Sequence, residues 1–164
     1  MRIIFACDHS GIELKRSLMS HAAEKGHVCL DVGCDGDKRA EYPVYGYKAA
    51  KALLRGDGDL GVLICGTGIG MSLTVNKLEG IRAAVCSEPF SAKLSREHNN
   101  TNMLALGARV VGTELAKMIL DEWLDAEFSD EGRHCARVDM IKEIEKTGKL
   151  ILAENNDDKK DSCE

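Results

Sequence analysis

The run Cys65-Gly66-Thr67-Gly68-Ile69-Gly70 carries the densest chemistry in the chain. Glycines at alternate positions let the backbone turn tightly and let several amide N–H groups converge on an anion. A helix following the turn adds partial positive charge at its N-terminus. A thiol at the lip of such a turn faces the same dipoles, which favour its thiolate, so Cys65 is a candidate base or nucleophile. The plainer reading is a strand-to-helix turn holding a buried cysteine, for which one glycine would suffice. Gly66-x-Gly68 also matches half of a dinucleotide fingerprint, with Glu88 about 20 residues past Gly68. Met71 stands where that fingerprint needs Gly or Ala, and the motif follows the third strand candidate, not the first.

Four further groups could act with this turn. Asp8-His9 closes the first apolar run; an acid beside an imidazole can bind hydroxyls, move a proton or contact a phosphate, or Asp8 can simply cap a helix. His98-Asn99-Asn100 precedes another apolar run, as a catalytic acid or as a capped, solvated turn. Arg109 follows that run and could reach the same rim. Arg133 and Arg137 are four residues apart and share a face on any helical turn, which suits either an anion clamp or a solvated surface. His134 could belong to the clamp or to the surface. Together these groups point to a phosphorylated small molecule undergoing proton transfer. No Ser-type nucleophile elbow and no metal-ligand set with convincing spacing occurs.

Alternating apolar runs and helical patterns must position these residues. Strands are expected over 2–6, 28–32, 60–65, 83–86 and 103–106. Helices are expected from Ile12 to near Gly26, over 43–54, from the glycine turn to about Lys77, from Ser87-Glu88-Pro89 onward, over 113–124 and over 138–147. Repeated βα units of this kind make a Rossmann-like, three-layer α/β/α sandwich of about five parallel strands, with an expected order of 2-1-3-4-5. Sites in such sheets lie beyond the carboxyl ends of the strands, which selects the loops at 7–11, 65–70, 86–89 and 107–109. Residues 1–150 read as a single domain, and 151–164 as an acidic, solvated tail.

Composition narrows the partners. The 164 residues carry 22 Lys+Arg against 27 Asp+Glu, a net charge of −5, which disfavours broad binding to nucleic acid or anionic membranes. No apolar run approaches the ~18 residues of a membrane span. Folded-type sequence begins at Arg2, with no room for a signal peptide, so a cytoplasmic location is expected. Seven cysteines without a C-x-x-C pair suggest reduced thiols rather than a disulfide framework.

With these residues assembled, the chain resembles the B-type ribose-5-phosphate isomerases and the related galactose-6-phosphate isomerase subunits. The resemblance runs from residue 2 to about 148 through Cys7-Asp8-His9, Asp31-Val32-Gly33, Glu41-Tyr42-Pro43, Ile64 to Gly70, Gly80-Ile81-Arg82-Ala83, Ser91-Ala92, His98-Asn99, Gly107 to Val110, and Gly132-Arg133-His134 with Arg137. The tail after about 150 departs from the family's usual end. The resemblance implies an aldose–ketose isomerase without metal or organic cofactor, in which Cys65 shuttles a proton between C2 and C1 of an open-chain sugar. It implies that Thr67 supports the thiolate and that amides of Gly66, Thr67, Gly68, Ile69 and Gly70 hold the enediolate oxygen. His98 would protonate the ring oxygen, with Asp8 assisting at the hydroxyls. His9, Arg133 and Arg137 would bind phosphate, while Tyr42, Asn99 and Arg109 would contact substrate. Some relatives use a Glu from the following helix as base; Ser72 to Val75 offer no carboxylate here. The family pattern further implies a homodimer, sometimes paired into a tetramer, with each site built from both chains. A six-carbon sugar phosphate is the alternative substrate, and a non-catalytic sugar-phosphate or nucleotide sensor the alternative function.

Overall fold

Five short apolar segments pair in parallel: β1 (Arg2–Cys7), β2 (Val28–Asp31), β3 (Leu60–Cys65), β4 (Ala83–Val85) and β5 (Met103–Gly107). The computed structural model describes residues 1–36, 39–130 and 132–150. β1, β3 and β5 are buried along nearly their whole length, as strands covered on both faces must be. Their side chains alternate between two apolar layers. Ile3, Phe5 and Cys7 face one layer with α1 (Ile12–Glu24), α4 (Pro89–Asn99) and α5 (Thr113–Asp125). Ile4, Ala6, Leu63 and Cys65 face the other, against α2 (Tyr42–Leu54) and α3 (Ile69–Val75). The three-layer α/β/α architecture is the expected one.

The strand order is β2-β1-β3-β5-β4, so the last two strands are exchanged relative to the expected 2-1-3-4-5. Burial gives the reason. β5 contributes five buried residues and suits the interior, whereas Ala83, Ala84 and Val85 are partly exposed and suit an edge. The side chain of Asn76 guards that edge: its amide donates to the Ala83 carbonyl at 2.9 Å and its oxygen accepts from the Ala83 N–H at 2.8 Å. The exchange places the carboxyl end of β5 beside that of β3, with Cys65 opposite Gly107.

The last helix, α6 (Gly132–Thr147), starts six residues before the expected 138, so the basic segment lies inside it. His134 and Val138 are its buried residues. His134 meets the end of α4 at His98, and Glu145 accepts from the Gly80 N–H at 3.0 Å just before β4. α6 therefore lies across the amino edge of the sheet.

Two charged groups also fix the scaffold. Lys15 has no exposed side-chain surface, yet its Nζ reaches Asp31 at 2.7 Å, the Cys34 carbonyl at 3.1 Å and Asp35 at 3.2 Å. This fastens the end of β2 and the 33–36 loop to α1. His21 is mostly covered and ties α1 to α5 through Asp121 at 2.8 Å. The acidic tail over 151–164 lies outside the described residues.

Candidate active site

β3 ends on Cys65, and the chain turns at once into α3 through Gly68, whose φ of +79° is a left-handed conformation that glycine adopts freely. This turn delivers the Gly68 N–H to the Cys65 Sγ at 3.2 Å. Cys65 is 4% exposed and belongs to the apolar layer facing α2 and α3, while Thr67 and Ile69 beside it are open to solvent. The Thr67 hydroxyl accepts from the Ile69 N–H at 3.4 Å, so it serves the start of α3, and the partner at the sulfur is a backbone amide. The resemblance implies that Thr67 supports the thiol; in this structure the group directed at the sulfur is the Gly68 N–H.

Close backbone approach holds the turn in place. A Cβ on Gly107 would stand 2.9 Å from the Cα and C of Thr67, so only glycine lets the turn rest on the end of β5. The ladder continues past the strands, with Ala108 N–H donating to the Cys65 carbonyl at 2.8 Å and Arg109 N–H to the Gly66 carbonyl at 3.1 Å. A Cβ on Gly66 would sit 3.8 Å from both the Arg109 Cδ and the Ser10 Oγ, which places both side chains beside the turn. The Tyr42 ring lies on Gly70, 2.7 Å from where a Cβ would be.

Asp8 completes this half of the site. It is 6% exposed, and its Oδ1 accepts from the Ser10 N–H at 2.8 Å and from the Ser10 hydroxyl at 2.6 Å. The N-cap of α1 is Gly11, so Asp8 folds the loop before the helix rather than capping it. His9 accepts the Ala40 N–H at its Nδ1, 3.2 Å away, which leaves Nε2 to carry the proton of the neutral ring and to donate. The same bond ties the 7–11 loop to the segment leading into α2 and Tyr42. Asp8, His9, Tyr42, Cys65 to Gly70 and Arg109 therefore gather at the carboxyl edge of the sheet, and the expected 86–89 loop lies beyond β5 from them.

His98, Asn99, Arg133 and Arg137 lie elsewhere. α4 runs back along the sheet for 11 residues, about 16 Å, and carries His98 and Asn99 to the amino edge. Beside it the Arg82 Nε donates to the Asn100 carbonyl at 2.9 Å, one residue before β4 begins. Arg133 and Arg137 are exposed on α6 at this same edge, one turn apart on a continuous helix. Asn99 also lines a cleft of about 470 Å³ with Arg82, Ile81, Ile141 and Ile144. The expected site is thus divided between opposite edges of one chain. Sequence reading missed Ser10, whose only signal was its place two residues after Asp8, and it missed the burial of His134.

Residues 3–141 match the family described as Ribose/Galactose Isomerase. The chain is 52% identical over 144 residues to ribose-5-phosphate isomerase B of Escherichia coli K12, covering 88% of this chain and 96% of that relative. It is 38% identical over 128 residues to the galactose-6-phosphate isomerase subunit LacB of Clostridium acetobutylicum, covering 78% of this chain and 74% of that subunit. The solved ribose-5-phosphate isomerase B of Clostridium thermocellum superposes with a TM-score of 0.88 at 48% identity, covering 91% of this chain and all (100%) of that one. Among the described residues, no helix is long and apolar enough to cross a membrane.

Three cysteines, Cys7, Cys65 and Cys86, end strands or directly follow them. Desolvation pushes the Cys7 and Cys86 thiols up to about 11, against the pull of Lys15 in the first case and with the help of Glu88 in the second. Both stay protonated at neutral pH and cannot serve as bases there. Iodoacetamide at pH 7.5 is therefore expected to leave Cys7 and Cys86 unmodified in the folded protein, their alkylation rising only as the pH approaches 11. Peptide mass spectrometry checks this; rapid neutral-pH labelling of either residue would contradict the burial argument.

Proposed function

Because the chain belongs to the ribose/galactose isomerase family, we propose that it interconverts ribose 5-phosphate and ribulose 5-phosphate, with Cys65 as the proton-transferring base. The observation that carries this reading is the Gly68 N–H directed at the Cys65 sulfur from within a turn bordered by Asp8, Ser10, Arg109 and Tyr42. The Cys65 thiolate takes the C2 proton of the open-chain aldose, and the electron pair moves to O1 as the enediolate forms. The same proton is returned to C1, while the O2 hydroxyl proton passes to O1 and leaves a carbonyl at C2. Amides of the 66–70 turn stabilise the oxyanion, each such donor typically contributing roughly 3–4 kcal/mol.

Asp8, its carboxylate held by Ser10, assists at the sugar hydroxyls, and His9 offers its Nε2 proton to the phosphate. The ring-opening acid His98, with Asn99 and the phosphate ligands Arg133 and Arg137, comes from a second copy of the chain, whose amino edge faces the first copy's carboxyl edge. Opposite placement within one chain supports this pairing: residues separated by the length of α4 cannot touch one small sugar. The catalytic unit is then a homodimer, which could pair again into a tetramer, with one isomerase domain over 1–150 per chain. Six described cysteines, all free, suit a cytoplasmic location.

Substrate length is tested by kcat/KM measured side by side on ribose 5-phosphate and on allose and galactose 6-phosphates. A preference for the pentose supports the proposal, and a larger value for a hexose phosphate replaces it with the six-carbon reading. In heavy water, Cys65→Ala is expected to slow deuterium entry into the exchangeable carbon position by about 10²–10⁴-fold; exchange at the native rate would remove Cys65 from the role of base. Mixing separately inactive Cys65→Ala and His98→Ala chains is expected to restore about a quarter of native activity, since each mixed dimer regains one intact site. No recovery from chains shown to exchange would place the whole site in one chain.

A further inference from the structure

We propose that His134 is a positioning residue that fixes His98, the proposed ring-opening acid, in register with the Arg133–Arg137 pair; this rests on the reading of His98 given above. His134 is 3% exposed and lies behind His98, with ring centroids 4.2 Å apart and planes inclined by 37°. Its Nδ1 meets the Ser129 Oγ at 2.7 Å. Ser129 is itself fastened to α4, its N–H donating to the Glu97 carbonyl at 3.0 Å. Glu97, Ser129, His134 and His98 thus close a small circuit in which the residue before the acid holds the serine, the serine holds the second imidazole, and that imidazole supports the acid.

The circuit joins two elements that share little other buried surface. α6 buries only His134 and Val138 among its described residues, one turn apart. His134 sits between the two arginines in sequence, so the buried ring sets where their helix stands relative to the last turn of α4. An imidazole suits this position because it offers a flat face to His98 and an in-plane nitrogen to Ser129 at once. An aliphatic side chain would fill the space and leave the ring plane of His98 undetermined. A misplacement of about 1 Å can cost a hundredfold in rate, so a support of this kind acts on turnover without touching the substrate.

Two reactions of the same protein separate positioning from general damage. Turnover of ribose 5-phosphate requires a ring to open, whereas deuterium exchange at C1 of ribulose 5-phosphate, a ketose with no ring, measured at saturating substrate, uses the same base and oxyanion donors but no ring-opening acid. His134→Ala is expected to lower kcat for the aldose by about ten- to a hundredfold while ketose exchange stays within about twofold of native. Ser129→Ala, which leaves the ring in place but removes the hydroxyl that meets its Nδ1, is expected to shift the same ratio in the same direction and serves where His134→Ala fails to fold. Equal loss of both reactions in the folded variants, or loss of neither, overturns the proposal. His98→Ala is the control for the underlying reading. If His98→Ala does not separate the two reactions, the reading of His98 as the acid fails; if His98→Ala separates them and the His134 and Ser129 variants do not, the positioning role alone fails.

Discussion

Contact between two backbones, where the turn after β3 rests on the end of β5, is the constraint on which the proposed chemistry depends. Gly107 permits it by having no side chain, and Gly68 permits the turn itself by taking a positive φ. With the turn seated, its amide has one place to point, and the Cys65 sulfur occupies that place. Cys7 shows what the alternative looks like. It ends a neighbouring parallel strand, where burial pushes its thiol up to about 11, and no glycine turn follows it.

Chain direction imposes the second constraint. A helix returning antiparallel to its strand must end at the edge where that strand began, so His98 at the end of α4 cannot share an edge with Cys65 at the end of β3. α6 then lies along the amino edge and adds Arg133 and Arg137 to the His98 side. In the proposed homodimer, a two-fold axis would join the carboxyl-edge group of one chain to the amino-edge group of the other. α6 presents exposed charged groups at this edge and is anchored, among the described residues, by the buried His134 and Val138.

Much of the scaffold was legible because its signals are local. β3 reads as a buried strand from an uninterrupted apolar run, and α2 begins beside Pro43, a residue suited to a first helical turn. The strand order was less legible: which of β4 and β5 lies inside depends on how much surface each can bury, and Asn76 guards an edge that no local pattern announces. Lys15 was similarly hidden. Its partners Asp31 and Asp35 lie beyond α1, and a lysine between Leu14 and Leu18 looks like an ordinary surface residue until β2 pairs beside β1.

Residue types and short spacings by themselves determined the fold class, the glycine turn behind Cys65 and the inventory of groups able to handle a phosphorylated sugar, because these follow from backbone freedom and side-chain chemistry within a few residues. Only the tertiary structure decided that the Gly68 N–H is directed at the sulfur, that Ser10 holds Asp8, that Arg109 borders the turn, and that His98 and the arginine pair stand at the far edge. Those outcomes rest on strand order and helix direction, which bring together or separate residues far apart in the chain, and no spacing along the sequence encodes a distance across the sheet.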